Sequence, residues 1–306
     1  MQNLIPDGVW PTMLTPFTEG NEIDYNALAS LVDWYIEEGV CGLFAVCQSS
    51  EMYHLNLKER TAVAKFVKEH AKGRVPVIAS GHISDSLRDQ VEELKAMADT
   101  GIDALVIVSN HFAGKENNDD VWKQTADRIM NAIPDIPLGI YECPVPYKRV
   151  ISPELLHWCA RTGRFYFLKD TCCDLEQIAG KYKAVEGTNM KIFNANSATL
   201  LESLKIGIAG FSGVMANFHP DLYVWLVEHW REEPEKARKV QDFLGFASLA
   251  EQQMYPVNAK YYLQLNGIPV SVCGRTQDSR RFDAADRMIM EQLKRTTEYF
   301  RETELL

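Results

Sequence analysis

Eight short apolar runs, separated by amphipathic stretches, constrain this chain more than any other feature. They are VWPTML (9–14), GLFAV (42–46), VPVIAS (75–80), ALVIV (104–108), IPLGIYE (136–142), FYFLKD (165–170), MKIFNAN (190–196) and GFSGVM (210–215). Their spacing, roughly 20 to 35 residues, is the length of one strand plus one helix. Between them lie helical patterns. In YNALASLVDWYIEEG (25–39), Leu28, Leu31, Val32 and Tyr35 fall on one face. In SLRDQVEELKAMADTG (86–101), Val91, Leu94, Met97 and Ala98 do the same, and Gly101 is a stop signal. Eight such units predict an α/β chain folded as a (β/α)8 TIM barrel. An open doubly wound sheet is the alternative, but no G-x-G-x-x-G follows the first run.

Beyond the eighth run, HPDLYVWLVEHW (219–230) would complete the barrel. The stretches 234–256 and 258–267, and a tail from about Asp283 to Thr303, also read as helical. The expected organisation is a catalytic barrel over 1–233 and a small C-terminal helical appendage over 234–306, without a flexible linker.

With 46% hydrophobic and 24% charged residues the chain has the make-up of a folded globular protein rather than a disordered one. No apolar run approaches the ~20 residues of a membrane helix. The start, MQNLIPDGVWPTM, has neither the basic nor the long apolar segment of a signal peptide, so a cytoplasmic location is expected. A net charge of −10 argues against nucleic acid as partner. The seven cysteines are odd in number and lack CxxC spacing, which suits small, reduced, buried residues. The adjacent Cys172 and Cys173 could form a redox or metal element, but no histidine follows at ligand spacing.

In a barrel of this kind the chemistry sits at the C-terminal ends of the strands. Those ends offer LTPF (14–17), CQSSE (47–51), SGH (80–82), SNHF (109–112), Tyr141 and Glu142, Lys169 to Thr171, Asn194 and Asn196, and Ser212 and Gly213. Lys169 is the one lysine among them, and it follows Phe165, Tyr166, Phe167 and Leu168. It could reach water with its amine or pair with Asp170 or Asp174. Alternatively, a dry flank could lower its pKa from ~10.4 until neutral amine exists near pH 7. Such an amine attacks a ketone and forms a Schiff base, an electron sink for carbon–carbon bond chemistry. Tyr141, one strand away, could shuttle the protons, or be a core tyrosine with a satisfied hydroxyl. The Ser49-Ser50 turn could offer hydroxyl and N–H donors to a carboxylate, or simply form a loop.

These residues resemble the dihydrodipicolinate synthase/N-acetylneuraminate lyase superfamily of class I, Schiff-base-forming aldolases. The likeness runs from about Gly8 to Gly267 through GVWPTMLTPF, GLFAVCQSSEMYHLNLKER, IYECPVP (where the family has Tyr-Asn-x-Pro), FLKDTCCD, GFSGVMANFHP and YPVNAKYYLQLNG. The resemblance implies that Lys169 is the Schiff-base lysine and that Tyr141 is the proton-shuttling tyrosine. Gln48 and Ser49 match the turn that holds the 2-oxo-acid carboxylate. Thr171 and Ser212 match second-substrate pocket positions.

Several positions depart from the pattern. Pro146 stands where the synthase branch carries the arginine for aspartate semialdehyde, with Lys148 and Arg149 out of register. Gln48 and Phe112 replace two hydroxyls of the synthase relay. Cys172 and Cys173 stand where glycine or alanine is usual.

The expected function is therefore cleavage or formation of a bond at carbon 3 of pyruvate or a related 2-oxo acid. An aldehyde, with a sugar-acid-derived one as a candidate, would be the partner, with no metal or organic cofactor. The resemblance implies a homotetramer or dimer. Three alternatives stand: a 4-hydroxy-tetrahydrodipicolinate synthase or dehydratase of the same family, a metal-dependent aldolase built on His82 or His111, and a non-catalytic 2-oxo-acid-binding protein.

Overall fold

A computed structural model describes residues 4–305. Its eight strands are β1 (Gly8–Val9), β2 (Leu43–Phe44), β3 (Val77–Ala79), β4 (Ala104–Val108), β5 (Leu138–Tyr141), β6 (Phe165–Asp170), β7 (Lys191–Asn194) and β8 (Gly210–Phe211). All are parallel, in the order β1-β8-β7-β6-β5-β4-β3-β2. The backbone just after β1 closes the sheet into a barrel. Phe44 donates its N–H to Pro11 O at 3.1 Å, and Met13 donates to Phe44 O at 3.0 Å. That closure removes the open doubly wound sheet.

Each apolar run overlaps a strand, but only β4 and β6 fill their runs, and the other six ladders are shorter. Pro11 has no N–H to give, so β1 stops before it. The run 210–215 leaves the ladder after Phe211 and turns into a 3-10 segment at Val214–Asn217.

The helices that wrap the barrel are α1 (Tyr25–Glu37), α2 (Leu57–Ala71), α3 (Leu87–Ala98), α4 (Asp119–Ala132), α5 (Pro153–Arg161), α6 (Leu175–Val185), α7 (Leu200–Ile206) and α8 (Pro220–His229). The periodic faces are the buried ones. Leu28, Leu31, Val32 and Tyr35 of α1 are buried, with Asp24 capping the first turn through Asn26 N and Ala27 N. On α3, Leu94 and Met97 are buried, while Val91 and Ala98 are half-buried.

Three more helices follow: α9 (Pro234–Ala247), α10 (Val257–Leu265) and α11 (Ala284–Phe300). Asp283 begins α11 with a capping box. Gln241 of α9 donates to Ser197 O at 2.8 Å, just beyond β7, and the chain after α9 then runs over the barrel mouth. Among the described residues no helix is long and apolar enough to cross a membrane.

Inside the barrel, Phe167 stacks on Phe193 with ring centroids 4.7 Å apart, and Trp10 and Phe44 meet it edge-on at 5.6 and 6.1 Å. This aromatic floor lies directly under Lys169, because side chains two apart on a strand share a face.

The closure tolerates no side chain at Gly210. Its φ is +151°, and an added Cβ would lie 1.9 Å from the Gly8 carbonyl oxygen. Gly187 has φ +75° with open space around it. In urea unfolding, Gly210→Ala should cost on the order of 3 kcal/mol or more, and Gly187→Ala only about 1 kcal/mol.

Candidate active site

Strand alternation sorts the charges at the ends of β5 and β6. Tyr141 and Lys169 are register partners and face the barrel interior. Their chain neighbours, Glu142 and Asp170, face outward and meet Lys181 of α6. Lys181 Nζ donates to Glu142 Oε1 at 2.6 Å and to Asp170 Oδ2. All three are buried. Burial and the adjacent Asp170 push the Glu142 carboxyl up to about 7, while its two carboxylate neighbours raise Lys181 against the effect of burial.

Lys169 is therefore left without a counter-charge. Asp170 is bound to Lys181, and Asp174 caps α6 through Glu176 N and Gln177 N. Among the described residues no carboxylate lies within ion-pair distance of Lys169. It does not reach bulk water either, being only 3% exposed. Its Nζ donates to Ser212 O at 2.7 Å and lies 5.1 Å from the centre of the Tyr141 ring. Desolvation lowers its pKa to about 8.

The amine opens into a cavity of about 470 Å³ lined by Gln48, Ser49, Tyr141, Lys148, Thr171 and Glu251, among others. Tyr141 donates its hydroxyl to Gln48 Oε1 at 3.3 Å, and burial holds the phenol well above its ordinary pKa. Ser49 donates to Thr12 Oγ1 at 3.1 Å. Thr171 is clamped to Glu142: its N–H donates to Oε2 at 2.7 Å and its hydroxyl to the main-chain oxygen at 2.8 Å.

Of the predicted residues, Lys169, Tyr141, Gln48, Ser49 and Thr171 converge on this cavity. Ser50 does not line it. Its hydroxyl accepts Cys47 N–H at 2.6 Å and donates to Cys47 O at 2.7 Å, closing the turn on itself. Ser212 meets Lys169 through its carbonyl, and its buried hydroxyl has no partner among the described residues. Phe112 lies outside the cavity, packed against His82 and Trp122.

Further contacts shape the site in ways that no strand-end reading shows. Glu51, left-handed at φ 61°, makes a buried ion pair with Lys260 of α10 at 2.8 Å and accepts the N–H groups of Arg275 and Thr276. This ties the 47–51 turn to the segment after α10. Tyr53 sits on a 3-10 turn, Met52–His54, created by that same left-handed residue. Glu251 and Tyr255 come from the chain after α9. Lys148 borders the cavity and donates to Thr171 O at 2.6 Å, whereas Arg149 turns away to Asp119 at 2.9 Å.

Cys172 is half-buried, with its thiol pushed up to about 12 by burial; Cys173 is exposed at the cavity edge in a left-handed conformation, φ 59°. Both thiols are free. Nothing in the structure explains why both are cysteine. No group of three or more His, Cys, Asp or Glu side chains among the described residues is placed to hold a metal ion, His82 and His111 included.

The family model described as the Dihydrodipicolinate synthetase family matches residues 6–277. The 4-hydroxy-tetrahydrodipicolinate synthase of Psychrobacter arcticus is 29% identical over 213 residues, covering 70% of this chain and 69% of that one. The enzyme of the same name from Acidithiobacillus ferrooxidans is 27% identical over 263 residues, 86% of each chain. Among solved structures, a prophage protein of the dihydrodipicolinic acid synthase family from E. coli K12, in complex with pyruvate, superposes with a TM-score of 0.84. It is 23% identical and covers 94% of this chain and 98% of its own, a likeness of fold.

The unpaired amine carries a stability cost with a definite pH signature. A lysine at about 8 when folded and 10.5 when unfolded weakens the fold by on the order of 3 kcal/mol below pH 8. The folded state binds fewer protons between those values, so the cost fades as the pH rises through that window. Lys169→Met, which also abandons the bond to Ser212 O, should raise stability by about 1–2 kcal/mol at pH 7. Thermal unfolding of both proteins from pH 7 to 10 should show the gap closing.

Proposed function

The chain belongs to the dihydrodipicolinate synthetase family of Schiff-base-forming lyases, and on that premise we propose that Lys169 forms an imine with pyruvate or a related 2-oxo acid. The observation that carries this reading is the buried amine without a counter-charge, seated beside a phenol in a closed aromatic barrel.

The steps follow from the groups present. Neutral Lys169 attacks the ketone carbon, giving a carbinolamine. Tyr141 donates the proton with which the hydroxyl leaves as water, and the nitrogen lone pair forms the C=N bond. Loss of a carbon 3 proton then gives the enamine, whose carbon 3 attacks an aldehyde; the reverse sequence cleaves the aldol product. Ser49 and the amides of its turn hold the carboxylate of the 2-oxo acid. Lys169 supplies the electron sink itself, so the reaction needs no metal or organic cofactor.

The aldehyde partner is proposed to be polar and of the sugar-acid-derived class. Two features support this. Arg149, the residue nearest the missing arginine in type, is paired with Asp119 outside the cavity. Thr171 and Asn196 give the wall hydroxyl and amide groups in its place. A synthase acting on an anionic aldehyde is the second reading, favoured by the names of the relatives and by Lys148, which has no carboxylate partner among the described residues.

Incubation with pyruvate, borohydride reduction and peptide mapping tests the reading. An adduct should form on Lys169 and disappear in Lys169→Met, and no adduct, or one on another lysine, would overturn it. Because only the neutral amine attacks, the rate of imine formation should rise with pH to a plateau above about 8. At pH 6 it should be about a hundredth of the plateau.

A further inference from the structure

The proposed chemistry moves protons at a buried phenol. Tyr141 is only 4% exposed, and burial keeps it protonated, so each proton it gives or takes must be exchanged through its neighbours. Its nearest partner cannot do this. Gln48 Oε1 accepts from Tyr141 at 3.3 Å and faces Cys143 Sγ at 3.6 Å, but an amide oxygen at neutral pH only accepts. The Cys143 thiol neighbours Tyr141 on one side, and on the other its sulfur lies 3.8 Å from the Tyr53 hydroxyl, within hydrogen-bonding reach. The Tyr53 hydroxyl in turn lies 3.4 Å from His111 Nε2. The other ring nitrogen of His111 points to Asp85 Oδ1 at 4.0 Å, and Asp85 is fully exposed while the His111 side chain is 5% exposed.

We propose that Tyr53 and His111, linked through Cys143, form a proton relay within one chain that connects Tyr141 to solvent at Asp85. The inference rests on the imine reading above and adds the route by which its protons leave. Of the four, only His111, in SNHF (109–112), belongs to the strand-end set that the sequence brings forward; Cys143, Tyr53 and Asp85 do not.

The transfer balances without a co-reactant. When the enamine forms, the carbon 3–hydrogen bond breaks. Its electron pair becomes the C=C bond, the C=N pair returns to nitrogen, and the proton ends on Tyr141. That phenol passes a proton to Cys143 sulfur as the thiol gives its own to Tyr53 oxygen. Tyr53 gives its hydrogen to His111 Nε2, and His111 releases the Nδ1 proton to water beside Asp85. One proton crosses and no electron moves.

The Tyr53 hydrogen has a second acceptor, Val145 O at 2.8 Å, so its rotation between Val145 and His111 opens and closes the path. Burial lowers the pKa of His111, which keeps the ring neutral and able to accept at one nitrogen while donating at the other. His82, ring to ring with His111 at 5.6 Å, stays outside the path because its Nε2 accepts Val108 N–H at 2.7 Å.

Exchange of the pyruvate methyl protons in D2O, followed by proton NMR, reads this route directly and needs no aldehyde. The test compares the unchanged protein with Tyr53→Phe and His111→Asn. Borohydride trapping of pyruvate at Lys169 serves as the folding and imine control. Both variants should trap pyruvate normally but exchange at least tenfold more slowly, in the lower range for a lost acid–base group. Imidazole should restore His111→Asn and leave Tyr53→Phe slow. Normal trapping with exchange within twofold of the unchanged protein in both variants would overturn the relay, and so would slow exchange of His111→Asn that imidazole does not improve. If Tyr53→Phe fails to fold, the His111→Asn and imidazole arms decide alone. Absence of trapping in the unchanged protein would overturn the imine reading instead.

Discussion

One buried amine has no counter-charge, and the arrangement around it keeps it so. Four acidic groups lie near the ends of the strands and loops that form the cavity floor, and three are already committed. Glu142 and Asp170 share Lys181, and Glu51 is held by Lys260. Glu251 remains, and burial raises its pKa despite the nearby Lys169. Period-two alternation separates the charges: in the consecutive residues Lys169 and Asp170, one points into the barrel and the other out to α6. If Asp170 faced inward, the amine would stay charged and could not attack a carbonyl. On the proposed imine reading, the cost of an unpaired lysine is thus tied to its reactivity, as expected where stability is given up for a working group.

The same logic explains why the helices beyond the barrel matter to the chemistry. The 47–51 turn contains Gln48 and Ser49, and a left-handed glutamate ends it. Such a turn needs external support. Lys260, Arg275 and Thr276 supply it by binding both carboxylate oxygens of Glu51. Arg275 reaches further, pairing with Glu59 at 2.8 Å and lying over the Phe17 ring. The chain after α9 then places Glu251 and Tyr255 over the mouth. The cavity is therefore built by both regions, whichever residue is taken as the boundary between them.

The barrel was legible because periodicity and spacing report it directly, and Lys169 and Tyr141 were legible because strand ends follow from strands. The residues that were missed belong to other kinds of structure. Tyr53 reaches the cavity because Glu51 adopts φ 61° and sends the chain into a 3-10 turn, and no apolar pattern marks that change of direction. Glu251 comes from outside the eight repeating units. Ser50 looked like a donor from its residue type, but its hydroxyl is spent on Cys47. Phe112 was read from its place in the order of motifs, whereas packing against Trp122 carries it away from the amine. Pairing was the least visible property of all: the sequence cannot say whether Asp170 answers Lys169, its chain neighbour, or Lys181, eleven residues on.

Gln48 is informative for the same reason. A hydroxyl there could accept a proton from Tyr141 and pass on its own. The amide oxygen can only accept, so it cannot itself serve as a carrier. A thiol at Cys143 is one of the few small side chains that can both donate and accept in the space beside it. Tyr53 and His111 extend that pair to the surface. The substitution at Gln48 and the polar pair at Tyr53 and His111 are thus coupled: with a mute group at one position, proton traffic has to pass through the other.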